Sequence, residues 1–276
     1  MGCPTASVLC DRDAGARPAI PRASTQRRGA DGRYTYVVLE IIGVGLAAFT
    51  AATVAGVTGF GGAVLLLPVL VWAVGARDAV VVLTIAQLVG NGSRVLLNRQ
   101  DVNTAILWRF ALGAIPLSLL GGLLFASTSS TVLTRLLGAF LLAAVIWRHT
   151  SPTPMRRPPL ARFTWLGAIF GFLSAILGSA GPVMAPFFLA YGLVKSAYIG
   201  TEAACTVVIH ATKLTAYRSG GVLAGSAALV GLALAPVMVA GSWLGKRLLE
   251  RTPEHVFVLL IDCVLVVSGV LLLVRG

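Results

Sequence analysis

The sequence describes an all-α integral membrane protein: two tandem repeats, about eight transmembrane helices, and a short glycine-broken segment after the first helix of each repeat. Three features carry this expectation. Hydrophobic residues make up 57% of the 276 positions and charged residues 12%, about half the charge that keeps a soluble domain wet. Apolar stretches long enough for a bilayer, which needs about 20 residues per helix, recur along the chain. A constant offset of 119 residues superimposes the polar landmarks of one half on those of the other.

The first 34 residues are a different material, with Arg12, Arg17, Arg22, Arg27, Arg28 and Arg33 set among Gly, Pro and Ala. They lack the apolar core of a secretory signal and are expected to form a disordered basic tail. The first repeat, residues 35–147, opens with the span Thr35–Val57. Thr58-Gly59-Phe60-Gly61-Gly62 interrupts it, and Ala63–Val74 is too short to cross alone. Ala79–Leu97, Thr104–Phe125 and Val132–Trp147 follow as full spans. Residues 148–162 form a hydrophilic linker with four arginines and four prolines. The second repeat, residues 163–276, follows the same plan: Phe163–Leu177, a break at Gly178-Ser179-Ala180-Gly181-Pro182, a short piece Val183–Val194, then spans Tyr198–Ala216, Val222–Leu244 and Val256–Val274.

The offset carries Gly59 onto Gly178, Gly62 onto Gly181, Gln87 onto Thr206, Asn91 onto His210, Ser93 onto Thr212 and Arg94 onto Lys213. Such self-similarity is the mark of internal duplication. Loop charge sets orientation, because cytoplasmic loops are rich in Lys and Arg. The tail and the linker are both basic and so are both expected in the cytoplasm, with the uncharged Ser127–Thr131 loop outside. That gives four crossings per half and a multi-pass protein of the cell membrane with a cytoplasmic N-terminus. Five crossings per half would invert the repeats and push one basic segment outward.

The formal net charge is +12, yet the cations lie in the tail and loops without the interleaved aromatics of a nucleic-acid surface. The expected partners are therefore a small anionic solute and the bilayer, not nucleic acid, with a homo-oligomer left open. Cys3, Cys10, Cys205 and Cys263 form no Cys-x-x-Cys pair and support neither a disulfide framework nor a metal site. His149, His210 and His255 are far apart, and no nucleophile elbow, zinc motif or P-loop is present. Neither enzyme chemistry nor a cofactor is expected, and energy for transport must come from a gradient or another subunit.

Glycine runs between apolar helices let the backbone unwind and approach a ligand. Unwound backbone at membrane depth is tolerated where protein or a wet cavity satisfies it, and paired breaks in matching places point to a transporter's binding site. Close helix packing through small residues is the competing explanation. The candidate substrate-binding set is Gly59, Phe60, Gly61 and Gly62 with Gly178, Ser179, Ala180 and Gly181, joined by Gln87, Asn91, Arg94, Thr206, His210 and Lys213. Asn91 and Arg94 share a helix face, as do His210 and Lys213. Arg94 and Lys213 have an alternative: with Arg99 and Arg218 just beyond, they snorkel to the interface. Glu202 and Asp262 are acids inside spans and hence proton-coupling candidates.

Gly59-Phe60-Gly61-Gly62-Ala63 followed by Leu67-Pro68, and Gly178-Ser179-Ala180-Gly181 followed by Ala185-Pro186, resemble the twin signature of the TauE/SafE family of membrane permeases. The likeness covers about residues 36–274. It implies a secondary carrier of sulfite, sulfonates or other small organosulfur anions. Composition alone leaves open a carrier of another solute, such as an amino acid or a metal cation, and a membrane enzyme or scaffold subunit.

Overall fold

The computed structural model describes residues 24–60, 62–150 and 157–248, together with helical positions 266, 270 and 274. Contacts divide the chain into Met1–Leu39 and Glu40–Gly276, and the architecture below belongs to the second unit. The described elements are helical: α1 (Ser24–Thr58), α2 (Gly62–Val74), α3 (Ala76–Leu97), a 3-10 turn (Arg99–Asp101), α4 (Thr104–Ser127), α5 (Ser130–Thr150), α6 (Arg162–Leu177), α7 (Gly181–Tyr191), α8 (Lys195–Ser219), α9 (Gly225–Ala233) and α10 (Ala235–Leu248).

Two boundaries differ from expectation. Helix α1 begins at Ser24, inside the segment 1–34 expected to be disordered; its arginines and alanine favour helix as well as any residues do. The span expected over Val222–Leu244 is found as Gly225–Leu248 but is interrupted at Leu234, because Pro236 has no N–H to donate to the preceding turn. Four described segments are long and apolar enough to cross a membrane: Ile41–Thr58, Ala76–Leu97, Thr104–Ser127 and Gly225–Leu248. Most of the expected last span, Val256–Val274, lies outside the described residues.

Small residues set how the helices run. A Cβ on Gly113 would strike the Thr164 carbonyl, and one on Gly121 would sit 2.8 Å from the Phe172 carbonyl. Helices α4 and α6 therefore touch backbone to backbone and run parallel, the close approach that small residues allow in lipid. The same contact joins α1 to α10: a Cβ on Gly241 would lie 2.7 Å from the Phe49 carbonyl, and one on Gly56 2.9 Å from Gly245 Cα. Lys246 Nζ donates to the Leu97 carbonyl and Ser242 Oγ to that of Gly90 at 3.4 Å, so α10 also runs with α3. Asn103 N donates to Thr201 Oγ1 at 2.9 Å, and a Cβ on Gly122 would meet Ala216, so α8 runs with α4. Arg77 at the start of α3 donates to carbonyls of Ala126 and Thr128 at the end of α4, which fixes those two as antiparallel.

Helices α1, α3 and α10 thus point one way and α4, α6 and α8 the other. Three helices run against the mates that the 119-residue offset gives them: α1 against α6, α3 against α8 and α4 against α10. Of the two arrangements open on loop charge, these directions favour the inverted one with five crossings per half over the expected four. An even number of crossings per half would leave the mates parallel, whereas antiparallel mates require an odd number. The Glu40 end of α1 and the Arg162 start of α6 lie at opposite ends of the bundle. Charge biases orientation but does not fix how helices pack, which here is decided by glycine contacts. Helix α2 folds back along α1, with a Cβ on Gly62 reaching within 2.7 Å of the Ala51 carbonyl.

Two apolar cores result. One joins α1, α2 and α3 to α9 and α10, and the other joins α4, α6, α7 and α8 around Phe110, Phe163 and Phe188. The outward faces of α4 and α6 are apolar, with Leu112, Leu119, Leu123, Trp165 and Ile169 exposed, as a lipid-facing surface requires.

Candidate functional site

Both breaks follow a helix that ends on a glycine in a conformation closed to residues with a Cβ. Gly59 has φ 78° and Gly178 φ 79°, a region glycine enters without steric cost. A helix end leaves carbonyls without partners, and here each half supplies a cation from its own third long helix segment. Arg94 Nη1 donates to the carbonyls of Ala55 at 3.1 Å and Gly59 at 2.8 Å. Lys213 Nζ donates to those of Ser174 at 3.2 Å and Gly178 at 2.9 Å. Acceptors and donors correspond one for one under the 119-residue offset. Each cation also complements the negative end of a helix dipole. Both side chains are sealed in, Arg94 4% and Lys213 0% exposed, so neither snorkels to an interface.

Beyond this shared contact the halves diverge. The other Arg94 amino group donates to Asn91 Oδ1, whose amide donates back to the Gln87 carbonyl at 2.8 Å and to Gln87 Oε1 at 3.3 Å. Arg94 Nη1 lies 3.6 Å from Glu202 Oε2 across the boundary between the halves. Glu202 Oε1 accepts from Thr206 Oγ1 at 3.1 Å, while Glu202 Oε2 is buried without a hydrogen bond, as is His210 Nδ1. Lys213 has neutral partners, the Ser174 and Gly178 carbonyls and Ser174 Oγ at 3.5 Å. Tyr217, packed on Phe125 with ring centroids 4.7 Å apart, donates to the Ala175 carbonyl one turn away.

These groups line a cavity of about 30 Å³, more than the roughly 10–15 Å³ that one water needs. The first break and α2 contribute Gly59, Phe60, Gly62 and Ala63, and α3 contributes Gln87, Asn91 and Arg94. From the second half come Ser174 on α6, then Ser179, Ala180, Gly181 and Met184, and on α8 Glu202, Thr206, Ile209 and His210. The two breaks face each other directly, since a Cβ on Gly181 would lie 3.5 Å from Phe60 Cβ.

Twelve of the expected residues therefore converge: Gly59, Phe60, Gly62, Gln87, Asn91, Arg94, Ser179, Ala180, Gly181, Glu202, Thr206 and His210. Gly178 and Lys213 do not line the cavity; they form the anchor behind it. Gly61 and Asp262 lie outside the described residues. Sequence reasoning missed Ser174, Ala63, Met184 and Ile209. Ser174 carried a usable signal, a hydroxyl one turn before the break glycine at the offset mate of Ala55. The three apolar residues carried none.

Residues 44–272 match the family described as Sulfite exporter TauE/SafE. The chain belongs to the TauE/SafE family. No curated protein and no solved structure matches it. Membership makes the protein a multi-pass membrane transport protein, in agreement with its long apolar helices.

Proposed function

We propose that this TauE/SafE protein is a secondary carrier of a small anion, with sulfite, a sulfonate or another organosulfur anion as substrate, and that the cavity between its halves holds the cargo. The observation that carries the proposal is Arg94, a fully buried guanidinium fixed by two helix-end carbonyls and turned toward a cavity bounded by both glycine breaks. Ionisable groups inside a membrane protein mark pathways and substrate sites. With Lys213 behind the second break, the region buries two basic side chains against one carboxylate among the described residues, an imbalance that an anion relieves. The narrow cavity suits an occluded state that opens when the helices around it move.

The antiparallel mates support an inverted repeat, the arrangement in which a central site is exposed alternately by rocking one repeat against the other. We place the Arg162 end of the bundle in the cytoplasm of a cell membrane, because Arg99, Arg157, Arg162, Lys195, Lys246 and Arg247 all gather there, in short loops and at helix ends.

Purified protein in proteoliposomes tests the carrier. Sulfite or methanesulfonate should enter faster than into empty liposomes, and Arg94→Gln should abolish the difference. Indifference to both anions overturns the proposal. In a cysteine-free background, an impermeant thiol reagent applied to whole cells should label Ser127→Cys and not Lys195→Cys; labelling of both or neither removes the orientation.

A further inference from the structure

We infer that Glu202 is a proton-carrying group that the substrate anion displaces from Arg94, so that each anion bound brings one proton onto the protein. The inference rests on the carrier reading above and adds the coupling to it.

Three observations lead there. The Arg94–Glu202 contact is an ion pair without a hydrogen bond: 3.6 Å separates the atoms, and Glu202 Oε2 is buried with no donor. Arg94, by contrast, is tied to Ala55, Gly59 and Asn91 through good donors. The guanidinium is therefore the fixed partner and the carboxylate the one free to leave. The cavity is bounded by Arg94 and Glu202 together, so an anion that reaches the guanidinium meets the carboxylate already beside it. Finally, the duplication has no counterpart for this acid. The offset mate of Glu202 is Leu83, and Lys213 is satisfied by neutral oxygens.

An arriving anion brings a second negative charge to one cation in a low-dielectric site, where like charges repel far more strongly than in water. A carboxylate pushed from its cation into such a site takes up a proton rather than stay charged. The proton comes from the aqueous phase on the open side and sits on Glu202. It is released when the anion leaves and the ion pair re-forms, so charge balances at every stage. The groups that face Glu202 are Arg94 from α3, the backbone of Gly181 from α7, and Cys205 and Thr206 on α8. His210 is a second titratable group in the same cavity and must be separated experimentally.

The test uses methanesulfonate, which stays a monoanion throughout and so adds no titration of its own. Calorimetric binding to purified protein between pH 5 and pH 9 should weaken about tenfold per pH unit above the point where Glu202 ionises, the slope of one linked proton. Glu202→Gln should bind with no pH dependence, and His210→Gln should keep the wild-type slope. Pyranine-loaded proteoliposomes should acidify with methanesulfonate entry through wild type and not through Glu202→Gln. A wild-type slope in Glu202→Gln, or a flat profile in His210→Gln, overturns the inference. Should Glu202→Gln fail to fold, proton uptake by the wild type in weakly buffered solution decides: one proton per anion supports the inference and none overturns it. Wild type that binds methanesulfonate without proton uptake leaves the carrier standing and removes Glu202, whereas wild type that binds neither methanesulfonate nor sulfite at any pH removes the carrier itself.

Discussion

Arg94 and Lys213 perform one task in two ways. Each donates to the carbonyl of the break glycine and to the carbonyl one turn before it, and each holds the end of a helix interrupted at that glycine. Lysine, a point charge on a flexible stem, is consumed by that task. Arginine, a planar fork with five donors, performs it with one amino group and keeps the other for Asn91, with Glu202 alongside. The first half thus faces its cation into the cavity and the second seals its cation behind it. Identical scaffolding with unlike ends suggests that one cation serves the substrate and the other the backbone.

Removing the two cations is the strongest way to break this comparison. Arg94→Met leaves Glu202 as an uncompensated buried charge and should cost about 3–5 kcal/mol. Lys213→Met leaves carbonyls short of a donor but no charge unpaired, and should cost about 1–3 kcal/mol. Chemical denaturation in mild detergent measures both, and equal losses would show that the halves are not specialised. Adding Glu202→Leu to Arg94→Met removes the stranded charge, so stability should recover while anion transport stays lost.

The break glycines sharpen the contrast at the next level. Both occupy a positive-φ conformation, so alanine at either should cost about 1–2 kcal/mol. At Gly178 the new methyl meets ordinary contacts, 3.4 Å from Leu83 at the closest. At Gly59 it runs into the ring of Tyr198, and overpacking of that kind adds about 1–3 kcal/mol. Gly59→Ala should therefore unfold at a lower temperature than Gly178→Ala, and an inverted order would mean that the Tyr198 ring moves aside freely.

Much of this was legible in the sequence, and the parts that were not share a cause. The breaks, the offset and the polar positions of α3 and α8 carry chemical signatures, such as glycine runs and charges in apolar helices, that survive without coordinates. Twelve of the expected residues meet in one cavity because those signatures report buried polarity directly. The direction of the second half was not legible. Loop charge spoke for two basic segments on one side, while the deciding contacts are bare glycine surfaces at Gly113, Gly121 and Gly241, which look alike whether helices run parallel or antiparallel. The anchoring of Arg94 was hidden for a similar reason: its acceptors are main-chain carbonyls of Ala55 and Gly59, invisible to any side-chain pattern. Snorkelling was the natural alternative with Arg99 nearby, and burial excludes it.

The finest probe of the comparison is Ser174, the one side-chain difference between the two anchors on the acceptor side. Its mate under the offset is Ala55, so the first half holds its cation with carbonyls alone. Ser174 Oγ lies 3.5 Å from Lys213 Nζ, longer than the 2.9 Å and 3.2 Å contacts to the Gly178 and Ser174 carbonyls, and so ranks as the weakest of the three. Ser174→Ala should then cost no more than about 0.5–1 kcal/mol, the net worth of an ordinary hydrogen bond. Because the hydroxyl also borders the cavity, its loss is expected to change methanesulfonate affinity by no more than about fivefold, the equivalent of that same energy. A stability loss matching that of Lys213→Met would mean that Lys213 depends on the hydroxyl after all. The second anchor would then be a side-chain site in its own right, and the division between a cation for the backbone and a cation for the substrate would have to be redrawn.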